Sequence, residues 1–165
     1  MNIPNEDLPL AVLSYNYRSF ISTAITIRES GSYNHFMWMH EPGKFATQDW
    51  WFREIKAEKY LKHHRLKFWY DPAWSNTQKI LIKERIYAEL SKPKWKTRYD
   101  LLAIFGQLIG ITGIQIPWTK ICSDHAKYIS IIDPRYNLEH PDPEDVNQWL
   151  KNHPNYFVYG RFSND

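Results

Sequence analysis

A lone cysteine and a histidine that precedes it are the residues of this chain whose types and positions suit covalent chemistry. The cysteine, Cys122, lies in Ile121-Cys-Ser-Asp-His-Ala-Lys-Tyr-Ile129, where the pattern predicts the start of a helix. Unpaired backbone N–H groups and the helix dipole at such a start favour an anionic sulfur. The candidate base is His35, in Ser30-Gly-Ser-Tyr-Asn-His-Phe-Met-Trp-Met39, where a turn signal runs into an apolar strand. An imidazole beside the sulfur would take the thiol proton and later return it to a leaving amine or alkoxide, with an acyl-enzyme between the two steps. The backbone N–H of Cys122 is the expected donor to the oxyanion. Against this stands a plain packing role, because buried unreactive cysteines are common and a chain with seven histidines offers many partners. His125 falls on nearly the same helical face as Cys122, as a perturbing neighbour or a rim residue. Asp124 suits the dipole but opposes a thiolate.

The elements that must position this pair follow from periodicity and turn residues. Leu8 to Tyr15 reads as a strand and Arg18 to Glu29 as a helix ended by Gly31. Tyr33 to Met39 is apolar on both faces, as a central strand would be, with His35 on the side of Tyr33 and Met37. Glu41-Pro-Gly-Lys44 is a tight turn, so Lys44 to Gln48 pairs back as a hairpin and Trp51 to Lys56 extends the meander. Ala57 to Lys62 is a short helix and Leu66 to Tyr70 a further strand. Ser75 caps a helix running to Leu90, with Ile82, Ile86, Tyr87 and Leu90 near one face. Thr97 is placed to cap a helix from Tyr99 that fades between Gly106 and Gly113. Cys122 to Ile132 forms the next helix, stopped by Asp133-Pro134. Asp142 caps a helix with Pro143 first and Val146, Trp149 and Leu150 inward, and Tyr156 to Phe162 closes the chain as a strand. The expectation is an α+β fold, a central and mainly antiparallel sheet packed against helices.

Composition bounds the partners. The 165 residues suit a single domain, 1–165, and the net charge of +3 comes from 21 basic and 18 acidic side chains dispersed along the chain. That balance does not call for nucleic acid. The basic loop Lys92-Pro-Lys-Trp-Lys-Thr-Arg98 reads as a solvated linker. One cysteine makes no internal disulfide, and the first residues lack the pattern of a secretion signal, so a cytoplasmic location is expected. The longest apolar stretch, Leu101 to Trp118, is broken by Gln107, Gln115, Pro117 and glycines, which argues against a membrane span. The eight tryptophans suit a core of large rings more than a dedicated sugar or lipid platform. His40, His63, His64, His125, His140 and His153 show no ligand spacing, and the glycines match no phosphate loop. No metal and no cofactor are expected. His63-His64, beside Lys62 and Arg65, reads as a solvated face.

The order of these features carries a resemblance. Ser-Tyr-Asn-His on a strand, a Pro-Gly hairpin, a second strand ending in polar residues, Tyr60-Leu61, then Tyr99-Asp100 and Cys122-Ser-Asp124 resembles the circularly permuted papain-fold cysteine hydrolases. These are the permuted NlpC-like group that includes the YiiX-like amidases, and the likeness covers roughly Ile21 to Leu150. It implies a permuted papain-like fold in which a histidine on an early strand precedes a nucleophilic cysteine at a helix start. It also implies thiol cleavage of an amide or ester, by a cysteine peptidase or amidase. Relatives often act on cell-wall peptide, which makes a peptide-like amide the first substrate and a phage lysis or virion pathway the route of a signal-less chain to the wall. An intracellular amide or a lipid ester is the alternative substrate. The group carries a third polar residue after the histidine strand, and here Thr47, Gln48 and Asp49 stand at that place. Gln48 is preferred as the residue that orients the ring, although a register slip of one would turn it away. The segment of about 72–98 is long for the group and reads as a helical insertion serving as lid, substrate wall or interface. A noncatalytic papain-fold module within a larger protein assembly is the reading from a different class.

Overall fold

In a computed structural model that describes residues 3–16, 32–98, 100, 121–131, 133–139 and 141–162, the fold is built on one sheet covered on both faces. Its strands are β1 (Leu10–Asn16), β2 (His35–Glu41), β3 (Lys44–Gln48), β4 (Phe52–Lys56), β5 (His64–Tyr70) and β6 (Phe157–Phe162). They lie in the order β4-β3-β2-β1-β5-β6, with every neighbouring pair antiparallel. The chain is therefore α+β with a six-stranded antiparallel sheet. The helices predicted over 18–29 and from Tyr99 onward, and the apolar stretch after Leu101, lie outside the described residues.

Because successive strand side chains point to opposite faces, each apolar strand supplies two layers. Leu10, Val12, Met37, Met39, Phe45, Leu66 and Phe68 face one way and pack with Ile3, Leu8 and the short helix α1 (Ala57–Leu61) through Ala57 and Tyr60. Ala11, Leu13, Phe36, Trp38, Ala46 and Trp69 face the other way, against three helical elements. These are α2 (Asn76–Leu90) through Ile82 and Ile86, a 3-10 helix (Cys122–Ile131) through Ala126 and Ile129, and α3 (Pro143–Asn152) through Val146, Trp149 and Leu150. The unbroken apolar run of β2 thus marks a strand with neighbours on both edges and cover on both faces. Ile82 and Ile86 bury the 72–98 segment into the same core cluster as the sheet.

Local chemistry sets the boundaries. Ser75 and Gln78 form a reciprocal capping box at the start of α2, and Asp142 and Asp145 form another at α3, where Pro143 takes the first position. The segment after Ile121 departs from the expected α-helix: it winds as a 3-10 helix, whose side chains superpose every third residue. Burial follows that period, with Cys122, His125 and Tyr128 in one buried column, Ser123, Ala126 and Ile129 in another, and Lys127 and Ser130 exposed. The Thr97 hydroxyl donates back to the carbonyl of Lys94 within a short 3-10 turn (Lys94–Thr97).

The β2–β3 hairpin turns at Gly43, which has φ +71°. A Cβ built there meets nothing within 4 Å, so an alanine would cost only the left-handed conformation. Gly43→Ala is expected to lower stability by about 1 kcal/mol, read as a shifted urea midpoint with an unchanged slope.

Candidate active site

His35 is the first residue of β2 and Cys122 the first of the 3-10 helix, so the two stand at element ends where parts from opposite faces of the sheet can meet. They act on one another: of the groups that raise the His35 pKa, Cys122 is the strongest. Cys122 is 3% exposed, and Ser123 beside it donates its hydroxyl to the carbonyl of Pro141. Asp124 accepts from the backbone N–H of Ile121, which ties down the first turn.

Behind the imidazole lies a polar cluster built from β3, the turn after it and α1. Nε2 of His35 is 2.6 Å from Oγ1 of Thr47 and 3.3 Å from the Tyr60 hydroxyl. Tyr60 donates to Asp49 at 2.8 Å, and the Thr47 hydroxyl reaches the same Asp49 oxygen at 3.5 Å. Arg53 clamps the other carboxylate oxygen through two nitrogens, at 3.0 and 2.6 Å. One proton arrangement serves all these groups: His35 Nε2–H donates to Thr47, whose own proton goes to Asp49, while Tyr60 donates to Asp49 as well. Thr47 then relays between the ring and a carboxylate that lies 3.8 Å from it.

The electrostatics favour a charged imidazole. Burial works against the imidazolium, but the influence of Cys122 and the charge of Asp49 together raise His35 above its ordinary 6.5. Burial likewise disfavours the Asp49 carboxylate, yet His35, Arg53 and Tyr60 hold it below the usual range. Tyr60 is raised well above 10, chiefly by burial, and so remains a neutral donor. His64, expected on a solvated face, is half-buried with its ring 4.3 Å from that of Tyr60. Burial, followed by the charge of His35, lowers it to about 4, so it adds no second positive charge.

Gln48 is not where the preferred sequence reading puts it. Thr47 pairs with Met37 across the hairpin and shares its face with His35, so its neighbour Gln48 points to the opposite face. There its Oε1 is 3.1 Å from Nε2 of His125 and its amide donates to the carbonyl of Thr97 at 2.7 Å. Of the three residues named for the ring-orienting role, Thr47 and Asp49 lie beside His35 and Gln48 does not. Tyr60, which enters the sequence reading only through the resemblance, completes the cluster. Its place in a short helix before β5 gave no sign of contact with His35.

His125 belongs to the core. Its ring stacks on Phe52 at 4.1 Å, and its carbonyl accepts the indole N–H of Trp38 at 2.9 Å. A second polar cluster joins His40, Glu41 and Glu54, whose ligand atoms lie within 4.8 Å of one another. Lys44 stands between the two carboxylates, 2.8 Å from Glu41 and 3.3 Å from Glu54, so an ammonium already satisfies that charge. No helix among the described residues is long and apolar enough to cross a membrane. No protein-family model matches the chain, and no curated protein sequence matches it.

The contributions at His35 have opposite signs, which makes them separable by substitution. In Cys122→Ala the raising effect of the sulfur is gone, leaving burial against Asp49 alone, so the His35 midpoint should drop below 6.5 in an NMR titration. Asp49→Asn should lower it by a smaller amount, because Asp49 is the weakest of the raising contributions. Gln48→Ala should leave the His35 midpoint in place while costing about 1–3 kcal/mol of stability, since it strands buried polar partners on the other face.

Proposed function

We propose that this protein is a cysteine hydrolase that cleaves a peptide-like amide through an acyl-enzyme. The observation that carries the reading is the polar cluster of Thr47, Tyr60 and Asp49 on Nε2 of His35, a ring whose pKa Cys122 raises. With Nε2 held by Thr47, Nδ1 is the nitrogen that serves the sulfur. The thiolate attacks the amide carbonyl, forming a C–S bond, and the oxyanion is met by the Cys122 backbone N–H. His35 then gives its proton to the leaving nitrogen as the C–N bond breaks. A water deprotonated by His35 attacks the thioester, releasing the acid and restoring the thiol.

The roles follow from charge and position. Cys122 is the nucleophile and His35 the general base and acid. Thr47 and Asp49 position the ring and stabilise its positive charge, and Tyr60 and Arg53 hold Asp49 in place. The order of histidine strand before cysteine helix, together with an antiparallel sheet carrying the histidine, agrees with a permuted papain-like fold of the NlpC-like kind. Cell-wall peptide is the substrate that this likeness favours, with a lipid or other acyl ester as the alternative. A cytoplasmic or phage-associated setting belongs to the same reading.

The burial of Cys122 favours a competing view, a noncatalytic papain-fold module whose thiol is a packing residue. Alkylation kinetics separate the two. On the hydrolase reading, iodoacetamide labels Cys122 faster than free cysteine near neutral pH, and His35→Ala removes that advantage. Turnover of amide and ester substrates should fall by at least about 100-fold in His35→Ala and vanish in Cys122→Ala. Labelling no faster than free cysteine, unchanged in His35→Ala, would establish the packing role instead.

A further inference from the structure

A groove of about 420 Å³ is lined by Trp50, Trp51, Lys94, Trp95 and Arg98. Trp50 and Trp95 are each 64% exposed, an unusual state for the largest apolar side chains of a protein. Cations accompany the rings: the Lys94 ammonium is 4.6 Å from the centre of Trp51, and the Lys96 ammonium is 5.0 Å from that of Trp95. Among the described residues, no carboxylate lines the groove. The surface is thus aromatic and positive together.

Its walls are fastened to the site. Trp50 and Trp51 directly follow Asp49, which backs His35. Trp51 and Arg98 form an isolated antiparallel bridge, and Gln48 holds the carbonyl of Thr97 from the end of β3. The loop expected to be a solvated linker is therefore docked beside the strand that supplies Thr47. The Gln48 amide and the Thr47 hydroxyl, adjacent in sequence, serve groove and site respectively.

We propose that this groove binds a carboxylate-rich stretch of the peptide on which the Cys122 site acts. That the bound peptide is the one cleaved rests on the hydrolase reading, but the binding itself needs no catalysis. Lys94 and Arg98 supply N–H donors for carboxylates, the guanidinium in the paired geometry that such groups accept. The tryptophan faces cover the backbone and methylene parts of the same side chains. A peptide fits better than a nucleic acid, because tight nucleic-acid binding draws on many phosphate contacts and this chain carries a dispersed net charge of only +3. A chain of amides is also what acyl-transfer chemistry at Cys122 would process.

The test uses full-length Cys122→Ala protein, so that nothing is turned over, and a hexaglutamate peptide blocked at both ends. Tryptophan emission and calorimetry should both report binding that weakens with salt. Lys94→Gln with Arg98→Gln should weaken it at least tenfold, and Trp95→Ala should weaken it with the charges intact. Lys79→Gln, a surface charge on α2, should leave it unchanged. Absence of binding, or binding indifferent to the groove substitutions, would overturn the proposal. So would tighter binding of an oligothymidylate of equal charge, which would make the groove a nucleic-acid surface. A failed hexaglutamate titration alongside a fast-reacting Cys122 in the unsubstituted protein would remove the groove proposal alone, whereas an inert Cys122 with intact peptide binding would remove the hydrolase reading alone.

Discussion

The docking of the Cys122–Ile131 helix onto β2 and β3 through His125 is the contact on which the rest of the site depends. Two hydrogen bonds and a ring stack from different strands converge there: the Trp38 indole on the His125 carbonyl, the Gln48 amide oxygen on the His125 ring, and the Phe52 ring stacked on the imidazole. All of these groups are buried, where a hydrogen bond that is lost leaves its partner stranded at a cost of about 1–3 kcal/mol. The helix therefore has one position along the sheet. Since Cys122 lies one turn before His125, that position also sets where the sulfur sits.

The pleat of β3 then divides labour between neighbouring residues. Gln48 faces the helical layer and fixes the element that carries Cys122, while Thr47 faces the other layer and holds His35. His35 can join the two because it ends its strand, where the sheet no longer separates the layers. The same alternation gives β2 its unbroken apolar character: Phe36 and Trp38 serve one core, Met37 and Met39 the other. A strand of this kind has little freedom to slip, because a shift of one residue would exchange every side chain between the layers.

Charge is organised around the same point. A buried imidazolium is costly unless opposite charge offsets it, and here Cys122 and Asp49 both favour the charged ring. Asp49 in turn is held by Arg53 and Tyr60, so the negative end of the relay does not depend on His35 alone. The neutral state of Tyr60 and His64 keeps the region from acquiring a competing charge. At the other end of the β2–β3 hairpin, the His40, Glu41, Lys44 and Glu54 cluster has its own balance of charges.

What was legible in the sequence was local. The Pro-Gly turn at Gly43, the meander that follows, Ser75 and Asp142 as caps, and the two-faced apolar pattern of β2 depend on neighbours a few residues away, and each stands where its chemistry requires. The candidacy of Cys122 and His35 was local too, since one thiol at a helix start and one imidazole at a strand start are visible as residue types in context. The ring's true neighbours were not. Whether Thr47 or Gln48 meets His35 turns on a register of one residue, and only the pairing of Thr47 with Met37 decides it. Tyr60 reaches the site from α1 and the Lys94–Thr97 turn is docked through Thr97's carbonyl, contacts that no periodicity encodes. Sequence by itself determined which residues carry a thiol or an imidazole at an element's start and which segments would be strands or helices, because those follow from side-chain chemistry and short-range geometry. Tertiary structure alone decided which groups face the imidazole, because that choice is made by the pleat and by a helix buried against it.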